Sequence, residues 1–391
     1  MPFRFRWLRS IAEVPKDAWD SLAGALDVPI LEWEWLRQLE RSGSVRPETG
    51  WVPLHLTLWR GTELVGAAPL YAKAHSEGEF VWDHAWADVA RRLGAPYYPK
   101  LVGMSPATPI TGYRFLVAPG EDEGRLTDLL LGAIDVLCRE TGLTGVSFPY
   151  ADPTWQGCLV ERGFLAWRHQ SYGWENPGLA DFEQYLAAFT RGQRRNIRRE
   201  RAAVAGAGVA VQSRTGREIR PADLRAMYRF YARTNARFGP WAAKYLSAEF
   251  FTGLGDGYRH RLLLFAAYRE GREDPLAMSL LLTKGQGLYG RFWGSDEQVD
   301  GLHFELCYYA PIQWAIEHGV RRFDPGIGGE HKVRRGFRAV PNHSLHRFTD
   351  PRLQAVMAAN LEHLNAAEQS RIEALNRAIP LAGGGRAPER G

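Results

Sequence analysis

Apolar and polar residues form the same pattern twice along the chain. Residues 54–73 (LHLTLWRGTELVGAAPLYAK) and 262–284 (LLLFAAYREGREDPLAMSLLLTK) each contain two apolar runs around a charged turn with glycine or proline. This pattern predicts two β-hairpins. A helical pattern follows each hairpin at a distance, and it ends at Gly142 in the first copy and at Gly319 in the second. An apolar strand is predicted after each of these glycines.

Hairpin, loop, helix and strand in duplicate is the element order of the acyltransferase fold of the GNAT superfamily. The repeat is far longer than the unit of a solenoid protein. The 391 residues of the chain also exceed what one hydrophobic core usually organises. We therefore predict an α/β (α+β) fold with two tandem GNAT-like domains, each a mixed, mostly antiparallel sheet flanked by helices.

Turn signals divide the chain further. A turn with proline and glycine lies near residues 176–181, and Asp350-Pro351 is typical of an N-cap followed by proline in the first helical turn. The predicted organisation is an N-terminal GNAT-like domain over residues 1–178, a C-terminal GNAT-like domain with an Arg-rich helix over residues 179–349, a C-terminal helix over residues 350–380 and a disordered tail over residues 381–391.

Composition narrows the class of protein. Hydrophobic residues make up 45% of the chain and aromatic residues 12%, which is ample for two buried cores. No apolar stretch approaches the length that spans a bilayer, so we expect no integral membrane contact. The N-terminal residues lack the apolar centre and cleavage pattern of a secretory signal. The 3 cysteines are scattered and odd in number, which favours reduced thiols. These features predict a cytoplasmic protein and leave its oligomeric state open.

The two predicted helix starts bear on the acyl donor. In the GNAT fold the pyrophosphate of the donor binds backbone amides at a helix N-terminus, where the helix dipole favours negative charge. Here the helices begin near Arg125 and Leu302, and each follows an acidic loop. Neither loop contains the Arg/Gln-x-x-Gly-x-Gly/Ala pattern of a coenzyme A site. This counts against coenzyme A binding of the ordinary kind.

Long ordered motifs over residues 51–348 resemble those of the FemAB-like predicted N-acyltransferases. They are VWDHAWADVARRLGAPYYPKL, SPATPITGYRFLV, RRNIRRERAAV, LYGRFWGSDEQVDGLHFELCYYAPIQWAIEHG and GGEHKVRRGF. The resemblance implies tandem GNAT-type domains and acyl transfer to an amine in processes related to peptidoglycan biosynthesis. It implies no tightly bound cofactor, and either acyl-CoA or aminoacyl-tRNA as co-substrate, because related Fem enzymes use aminoacyl-tRNA. The implied acceptor is a small molecule or a cell-wall precursor.

An arginine-rich helical segment is a candidate for phosphate binding. Spacing of three and four places Arg191, Arg194, Arg198 and Arg201 along one side of the helix. Guanidinium groups bind phosphates by bidentate contacts, so this face is suited to tRNA, coenzyme A or a phosphorylated acceptor. Arg194 and Arg198 are our substrate-binding candidates here. The alternative is a solvated helix face.

The candidate catalytic residues are His303, Glu305, Glu330, His331 and Lys332. The first two lie in the first turn of the long helix, and the other three lie in a glycine-rich loop after the following strand. In a GNAT-like domain these two places are neighbours at the open end of the sheet, so the residues are expected to face one cleft. Acyl transfer to an amine requires a base, for which Glu305 or His331 is suited. The alternative for Glu305 is a favourable acidic residue at a helix start, and for His303 a packed or capping histidine.

The same reaction requires donors that stabilise a developing oxyanion. Backbone amides around Gly326, Gly328 and Gly329, which we also assign as cofactor-binding candidates, or the Lys332 ammonium are suited to that role. Arg291 and Trp293, in the strand before the helix, are further substrate-binding candidates.

In the first domain, Asp83, His84, Tyr97 and Tyr98 are substrate-binding candidates within an aromatic-rich segment. Aromatic side chains suit the wall of a pocket for a flat or apolar ligand. The alternative is packing in a core, which is the expected role of Trp86.

Other activities find no support in the motifs. The chain has no HExxH or CxxC spacing, so no metal site is predicted. It also lacks a Gly-x-Ser-x-Gly elbow, a P-loop and a dinucleotide fingerprint. The alternative to an acyltransferase is a non-catalytic binding protein of the same fold that recognises a cell-wall precursor or RNA.

Overall fold

A computed structural model describes residues 2–239 and 242–382. The chain forms two compact units, which we call unit 1 and unit 2. Unit 1 contains Met1–His169, Tyr245–Phe250 and Asn342–Glu368, and unit 2 contains Gln170–Lys244, Phe251–Pro341 and Gln369–Gly391. The first division therefore falls earlier than the boundary predicted after residue 178, and each unit also takes segments from later in the chain.

The described residues form fifteen strands. They are β1 (Phe3–Leu8), β2 (Val52–Pro53), β3 (His55–Arg60), β4 (Glu63–Ala68), β5 (Tyr71–Lys73), β6 (Lys100–Val102), β7 (Leu116–Val117), β8 (Gly145–Phe148), β9 (Leu165–Glu175), β10 (Val209–Thr215), β11 (Leu262–Arg269), β12 (Ala277–Lys284), β13 (Gly287–Ser295), β14 (Arg322–Asp324) and β15 (Arg338–Phe348).

Twelve α-helices accompany these strands in the described part of the chain. They are α1 (Lys16–Ala23), α2 (Trp33–Arg41), α3 (His84–Arg92), α4 (Glu123–Thr141), α5 (Pro153–Val160), α6 (Phe182–Ala187), α7 (Arg191–Gly206), α8 (Pro221–Ala236), α9 (Ala248–Gly257), α10 (Leu302–Phe304), α11 (Ala310–Glu317) and α12 (Pro351–Arg377). A π-helical segment, Glu305–Tyr309, joins α10 to α11.

Unit 1 contains the first predicted hairpin, formed by β3 and β4. Its strands pair in the orders β1-β3-β4-β7 and β15-β8-β6-β5-β2, and of these pairs β6 with β8 is parallel. Helix α4 ends at Gly142, as its sequence predicts. The backbone of this glycine is left-handed, with φ +72°, and its amide caps the helix by donating to Cys138.

Unit 2 contains the second predicted hairpin, formed by β11 and β12. Its strands pair in the order β10-β11-β12-β13-β14-β9. All of these pairs are antiparallel except β13 with β14, which are parallel and are connected by the helix α10–α11. A helical crossover is the connection that a parallel pair requires. The predicted α/β fold class, with a mixed and mostly antiparallel sheet in each half, is confirmed.

The helix between β13 and β14 is π-helical over Glu305–Tyr309, just before Pro311. Proline has no amide proton, so an α-helix cannot continue its hydrogen-bond ladder through this residue. The amide of Ala310 donates to Glu305 across five residues, and the hydroxyl of Ser279 donates to the carbonyl of Leu306 at 2.7 Å. The π-helical turn is thereby stabilised from the neighbouring strand.

Each unit has its own hydrophobic core. In unit 2 the buried faces of α7 and α11 pack with the sheet around residues such as Ile197, Leu306 and Ile312. In unit 1 helix α3 packs with α12 through Trp86 and Met357, so Trp86 has the core role expected from its sequence.

Two predictions for the C-terminus have different outcomes. The helix predicted from Asp350-Pro351 is present as α12, which begins at Pro351. The predicted disordered tail, residues 381–391, lies outside the described residues from position 383 onward. Among residues 2–239 and 242–382, no helix combines the length and the apolar character needed to cross a membrane.

Candidate active site

The site lies where the parallel pair of unit 2 ends. Strands β13 and β14 pair from Gly287 with Arg322 to Tyr289 with Asp324. The chain then passes directly over Gly290, where a side chain would meet the backbone of Pro325 at 3.3 Å. The following residues, 326–329, contain three glycines with left-handed backbone, and we call this segment the glycine loop.

The start of the crossover helix meets the residues that follow the glycine loop. The ring of His303 lies 5.6 Å from the ring of His331, centroid to centroid. The Tyr308 hydroxyl and the Nε2 atom of His331 are 3.0 Å apart and form a hydrogen bond. We call His303, Tyr308 and His331 the imidazole cluster. Trp293 packs against it, with 5.0 Å between the Trp293 and His303 rings.

The two histidines of the imidazole cluster are uncharged at pH 7. Burial is the main cause that lowers the pKa of His303 to about 4, with His331 and Arg335 contributing. The pKa of His331 also falls to about 4, through burial and then the charges of Arg335 and Lys332. Burial raises the pKa of Tyr308 well above its ordinary value, so its phenol stays protonated. Both histidines are partly exposed and uncharged at pH 7, which leaves them able to accept a proton.

Lys332 organises the glycine loop from its buried side. Its Nζ atom donates to the carbonyls of Gly326 at 2.7 Å, Ile327 at 3.1 Å and Gly328 at 2.6 Å. These bonds use all three ammonium protons. Burial lowers the pKa of Lys332 to about 8, and the neighbouring Asp324 opposes this change. Lys332 is only 2% exposed. It therefore shapes the loop and does not present its charge to a bound ligand.

Glu305 is held by an ion pair. Both of its carboxylate oxygens accept from Arg201, at 3.0 and 2.9 Å, and Arg201 also donates to Gln313 at 2.9 Å. The guanidinium lies 4.5 Å from the ring centroid of Phe182. Because both carboxylate oxygens of Glu305 accept hydrogen bonds from Arg201, neither is free to take a proton from a substrate. The geometry favours the structural alternative for this residue.

A second ion pair supports the backbone of His331. The carboxylate of Glu200 accepts from Arg335 at 2.8 Å and from the hydroxyl of Tyr309. Arg335 also donates to the carbonyl of His331 at 2.8 Å, and its guanidinium stacks 3.3 Å from the ring centroid of Phe304. These contacts fix the position from which the His331 side chain extends.

The arginines of helix α7 divide into two groups. Arg194 donates to the carbonyl of Phe189 at 2.8 Å, Arg198 pairs with Glu183, and Arg201 binds Glu305. Protein groups therefore already occupy Arg194 and Arg198, the two predicted phosphate ligands. Arg191, Arg195 and Arg199 are exposed, and in the described part of the chain none of them has a carboxylate partner; Arg199 donates to the side-chain oxygen of Asn196 at 2.6 Å.

The remaining candidates of unit 2 differ in their exposure and in their charged partners. Glu330 is exposed and pairs with Arg371 at 3.3 Å. Arg291 and Trp293 are partly exposed. Burial raises the pKa of Asp324 at the end of β14, while the Gly326 amide and the Arg291 charge oppose that effect.

The acidic loop before α10 is neutralised by arginines. Asp296 pairs with Arg233 at 3.1 Å and with Arg229 at 3.4 Å, and Glu297 pairs with Arg269 at 2.6 Å. The loop is therefore less repulsive toward an anion than its sequence indicates.

In unit 1 the candidates Asp83 and Tyr97 belong to a buried ionic network. The Oδ2 atom of Asp83 accepts from Ser76 at 2.9 Å, from Tyr97 at 2.8 Å and from Lys100 at 2.6 Å. Lys100 also donates to Glu79 at 2.9 Å. All five residues are buried, so the network forms part of the interior of unit 1.

The other two candidates of unit 1 are placed differently. Tyr98 is partly exposed, and its hydroxyl lies 2.8 Å from the Ser76 hydroxyl at the edge of the network. His84 is exposed at the start of α3. The structure thus brings Asp83, Tyr97 and Tyr98 together and leaves His84 apart.

Tyr308 and Arg335 are the site residues that sequence reasoning missed. With α-helical spacing, Leu306 and Cys307 would lie beside His303, whereas the π-helical turn brings in Tyr308, with 5.5 Å between the two rings. Pro311, which cannot donate a helical hydrogen bond, is the feature of the sequence that indicates a departure from regular α-helix here.

Comparisons with known proteins agree with this architecture. The profile of the FemAB-like family, described as peptidoglycan biosynthesis/recognition, matches residues 10–383. No curated protein is significantly similar to the chain in sequence.

Among solved structures, the chain is similar to FemX, with 13% sequence identity and a TM-score of 0.53 over 88% of this chain and 98% of FemX. It is also similar to the C-terminal domain of a protein from Agrobacterium fabrum described as a lysylphosphatidylglycerol synthetase. That match has 10% identity and a TM-score of 0.52, and covers 97% of this chain and 100% of the other. At these identities the likeness concerns the fold.

Proposed function

Because the chain belongs to the FemAB-like family of peptidoglycan biosynthesis/recognition proteins, we propose that it transfers an acyl or aminoacyl group from an activated donor to an amine. The reaction takes place at the imidazole cluster of unit 2. The acceptor is an amine of a cell-wall precursor, a choice supported by the family description alone. The donor is an acyl thioester such as acyl-CoA, or an aminoacyl ester such as aminoacyl-tRNA.

The reaction has a simple balance of bonds. The amine nitrogen attacks the carbonyl carbon and forms a C–N bond, and the C–S bond of a thioester or the C–O bond of an ester breaks. The attacking nitrogen loses one proton to a base, and the leaving thiol or hydroxyl gains one. A neutral imidazole can accept the first proton and return it to the leaving group.

The observation that carries the proposal is the position of His331. Its imidazole is uncharged, partly exposed and hydrogen-bonded to Tyr308, and the Arg335 bond to its carbonyl fixes its backbone. The phenol orients the ring as the third group of a catalytic constellation does. His303, in ring contact with His331, lines the same place.

The other acid–base candidates are less suited to the role of base. Glu305 is occupied by Arg201, and Lys332 by three carbonyls. Glu330 is exposed and its carboxylate faces Arg371. We assign Glu305 and Lys332 to the support of the site.

For the donor, the exposed arginines of α7 favour a phosphate-bearing leaving group. Arg191 and Arg195 are four residues apart on one face of the helix and are available to an outside anion. Both candidate donors carry phosphates, so the assay includes both.

The test is an acyl-transfer assay with purified protein. Acyl-CoA and aminoacyl-tRNA panels are offered separately with an amine-bearing peptidoglycan precursor, and the acylated product is measured by mass spectrometry. We expect His331→Ala to lower kcat by about 100-fold or more, the usual contribution of a general base. His318→Ala is the matched control, because His318 is exposed at the end of α11, outside the imidazole cluster, and stacks on Trp314.

Transfer with either donor, lost in His331→Ala and kept in His318→Ala, supports the proposal. An unchanged rate in His331→Ala removes the imidazole from the mechanism. Precursor binding without any transfer from either panel favours the non-catalytic alternative.

A further inference from the structure

Three successive amides of the glycine loop donate to no acceptor within residues 2–239 and 242–382. Among the residues described, the N–H groups of Ile327, Gly328 and Gly329 have no hydrogen-bond partner, whereas the amide of Gly326 donates to Asp324 at 2.8 Å. Gly328 and Gly329 are exposed at the surface of unit 2. These donors are free to bind a ligand.

The carbonyls of the same loop are turned in one direction. Those of residues 326, 327 and 328 all accept from the single Nζ atom of Lys332, which is buried below the loop. A peptide group holds its N–H opposite its carbonyl. Gathering three carbonyls onto one ammonium therefore directs the amides of the next residues away from the protein interior.

The backbone conformation agrees with that arrangement. Gly326, Gly328 and Gly329 have φ of +83°, +73° and +82°, and Ile327 between them is not in the left-handed region. Positive φ at these glycines lets the chain turn at successive peptides while the three amides stay on the side away from Lys332.

The three amides lie beside the imidazole cluster. A side chain at Gly329 would meet the Cε1 atom of His331 at 2.4 Å, so the imidazole packs directly on the α-carbon of this glycine. An anion on the loop amides is therefore next to the group that we assign as the base.

We propose that the amides of Ile327, Gly328 and Gly329 form a binding site for an oxyanion, a phosphate or carboxylate oxygen, and that Lys332 is the positioning residue of this site. The identity of the natural anion rests on the proposed function, in which it is a phosphate of the donor, a carboxylate of the acceptor or the oxygen of the tetrahedral intermediate. Binding of a simple anion does not depend on that function.

The sequence permits a direct measurement at one amide. Ile327-Gly328 is the single Ile-Gly pair of the chain. Labelling isoleucine with ¹³C at the carbonyl and glycine with ¹⁵N therefore gives one carbonyl-filtered amide resonance, that of Gly328. Trp293-Gly294 is likewise the single Trp-Gly pair and provides a reporter for the fold of β13.

The full-length protein is titrated with inorganic phosphate and, separately, with acetate, at constant ionic strength held by sodium chloride. We expect a saturable shift of the Gly328 resonance with at least one anion and none with chloride. A stronger response to phosphate points to a phosphate of the donor, and a stronger response to acetate points to a carboxylate of the acceptor.

Two variants distinguish positioning of the loop amides by Lys332 from a general effect of positive charge on anion binding. Lys332→Met removes the ammonium that gathers the carbonyls, and we expect it to weaken anion binding by about tenfold or more. Arg334→Met removes the same charge two residues away, from an exposed side chain, and we expect a change of less than about twofold. An unchanged Gly294 resonance shows that each variant is folded.

Absence of a saturable Gly328 shift in the wild-type protein overturns the proposal, whether or not the Lys332 variant folds. Equal weakening in the two variants also overturns it, because diffuse charge then explains the binding. Anion binding without acyl transfer leaves this site standing and removes the proposed function, and transfer without anion binding does the reverse.

Discussion

The ion pair between Arg201 and Glu305 gives a prediction in which the two partners behave differently. The side chain of Glu305 is 8% exposed and that of Arg201 is 29% exposed. Replacement of Arg201 by Met leaves the buried carboxylate of Glu305 without its donor. Replacement of Glu305 by Gln leaves a guanidinium that can turn toward solvent and still bind Gln313.

The magnitudes follow from these exposures. Loss of one partner of a buried pair costs about 3–5 kcal/mol when the remaining charge cannot reach water. Arg201→Met is close to this case, and we expect about 3–4 kcal/mol after allowing for its partial exposure. Glu305→Gln keeps one carbonyl oxygen as acceptor and loses one charge-assisted bond, which costs about 1–2 kcal/mol.

Thermal unfolding measured by calorimetry is the assay. For a unit of this size, 1 kcal/mol corresponds to about 2–4 °C in Tm. Arg201→Met should therefore lower Tm by about 6–16 °C and Glu305→Gln by about 2–8 °C. The control is Arg198→Met on the same helix. Its pair with Glu183 joins side chains that are 57% and 70% exposed, so the change should stay below about 1 kcal/mol.

The order of the Tm values of the three variants tests whether Glu305 is buried against Arg201. If Glu305→Gln lowers Tm more than Arg201→Met, or if both match Arg198→Met, the carboxylate is not buried against Arg201 as described. Full transfer activity in folded Glu305→Gln protein would agree with a supporting role. Loss of kcat with an unchanged Tm would return Glu305 to the catalytic candidates.

Two further predictions concern stability. Burial lowers the pKa of His346 to about 3, below its value in the unfolded chain, so the protein should lose stability as pH falls from about 6.5 toward 3. In calorimetry, Tm should therefore fall less steeply between pH 7 and 4.5 in a His346→Gln variant than in the wild-type protein. An identical slope would contradict this. Gly301 and Gly319 flank the same helix with left-handed backbone, but a side chain at Gly301 would meet the carbonyl of Glu200 at 2.6 Å while Gly319 has open space. In urea unfolding, Gly319→Ala should cost about 1–2 kcal/mol from backbone strain, and Gly301→Ala should cost clearly more; equal values would refute the close approach.

Much of the candidate site can be predicted because it depends on local pattern. The helix start at Leu302, the glycine loop and the strand between them follow from apolar periodicity and from glycines that tolerate left-handed backbone. The same pattern and the GNAT-like order of elements indicate that His303 and His331 are neighbours, and their rings are 5.6 Å apart. Their roles in a reaction stay a prediction.

The functions of the charged residues depend on partners far along the chain. Arg201 and Glu305 are separated by 104 positions and Glu200 and Arg335 by 135, and no local signal links them. The sequence shows an arginine face suited to phosphate, whereas in the structure Glu183 and Glu305 already occupy part of it.

The sequence by itself determined the two hairpins, the glycine helix ends and the fold class, because these follow from side-chain periodicity and backbone conformation within a few residues. Tertiary structure alone decided which ionisable groups are engaged by other protein groups and which are available to a substrate. Burial and distant partners hold Glu305 and Lys332 in supporting contacts and leave the imidazole of His331 neutral beside Tyr308. Charge and proton affinity depend on the whole surrounding packing, which only the folded chain creates.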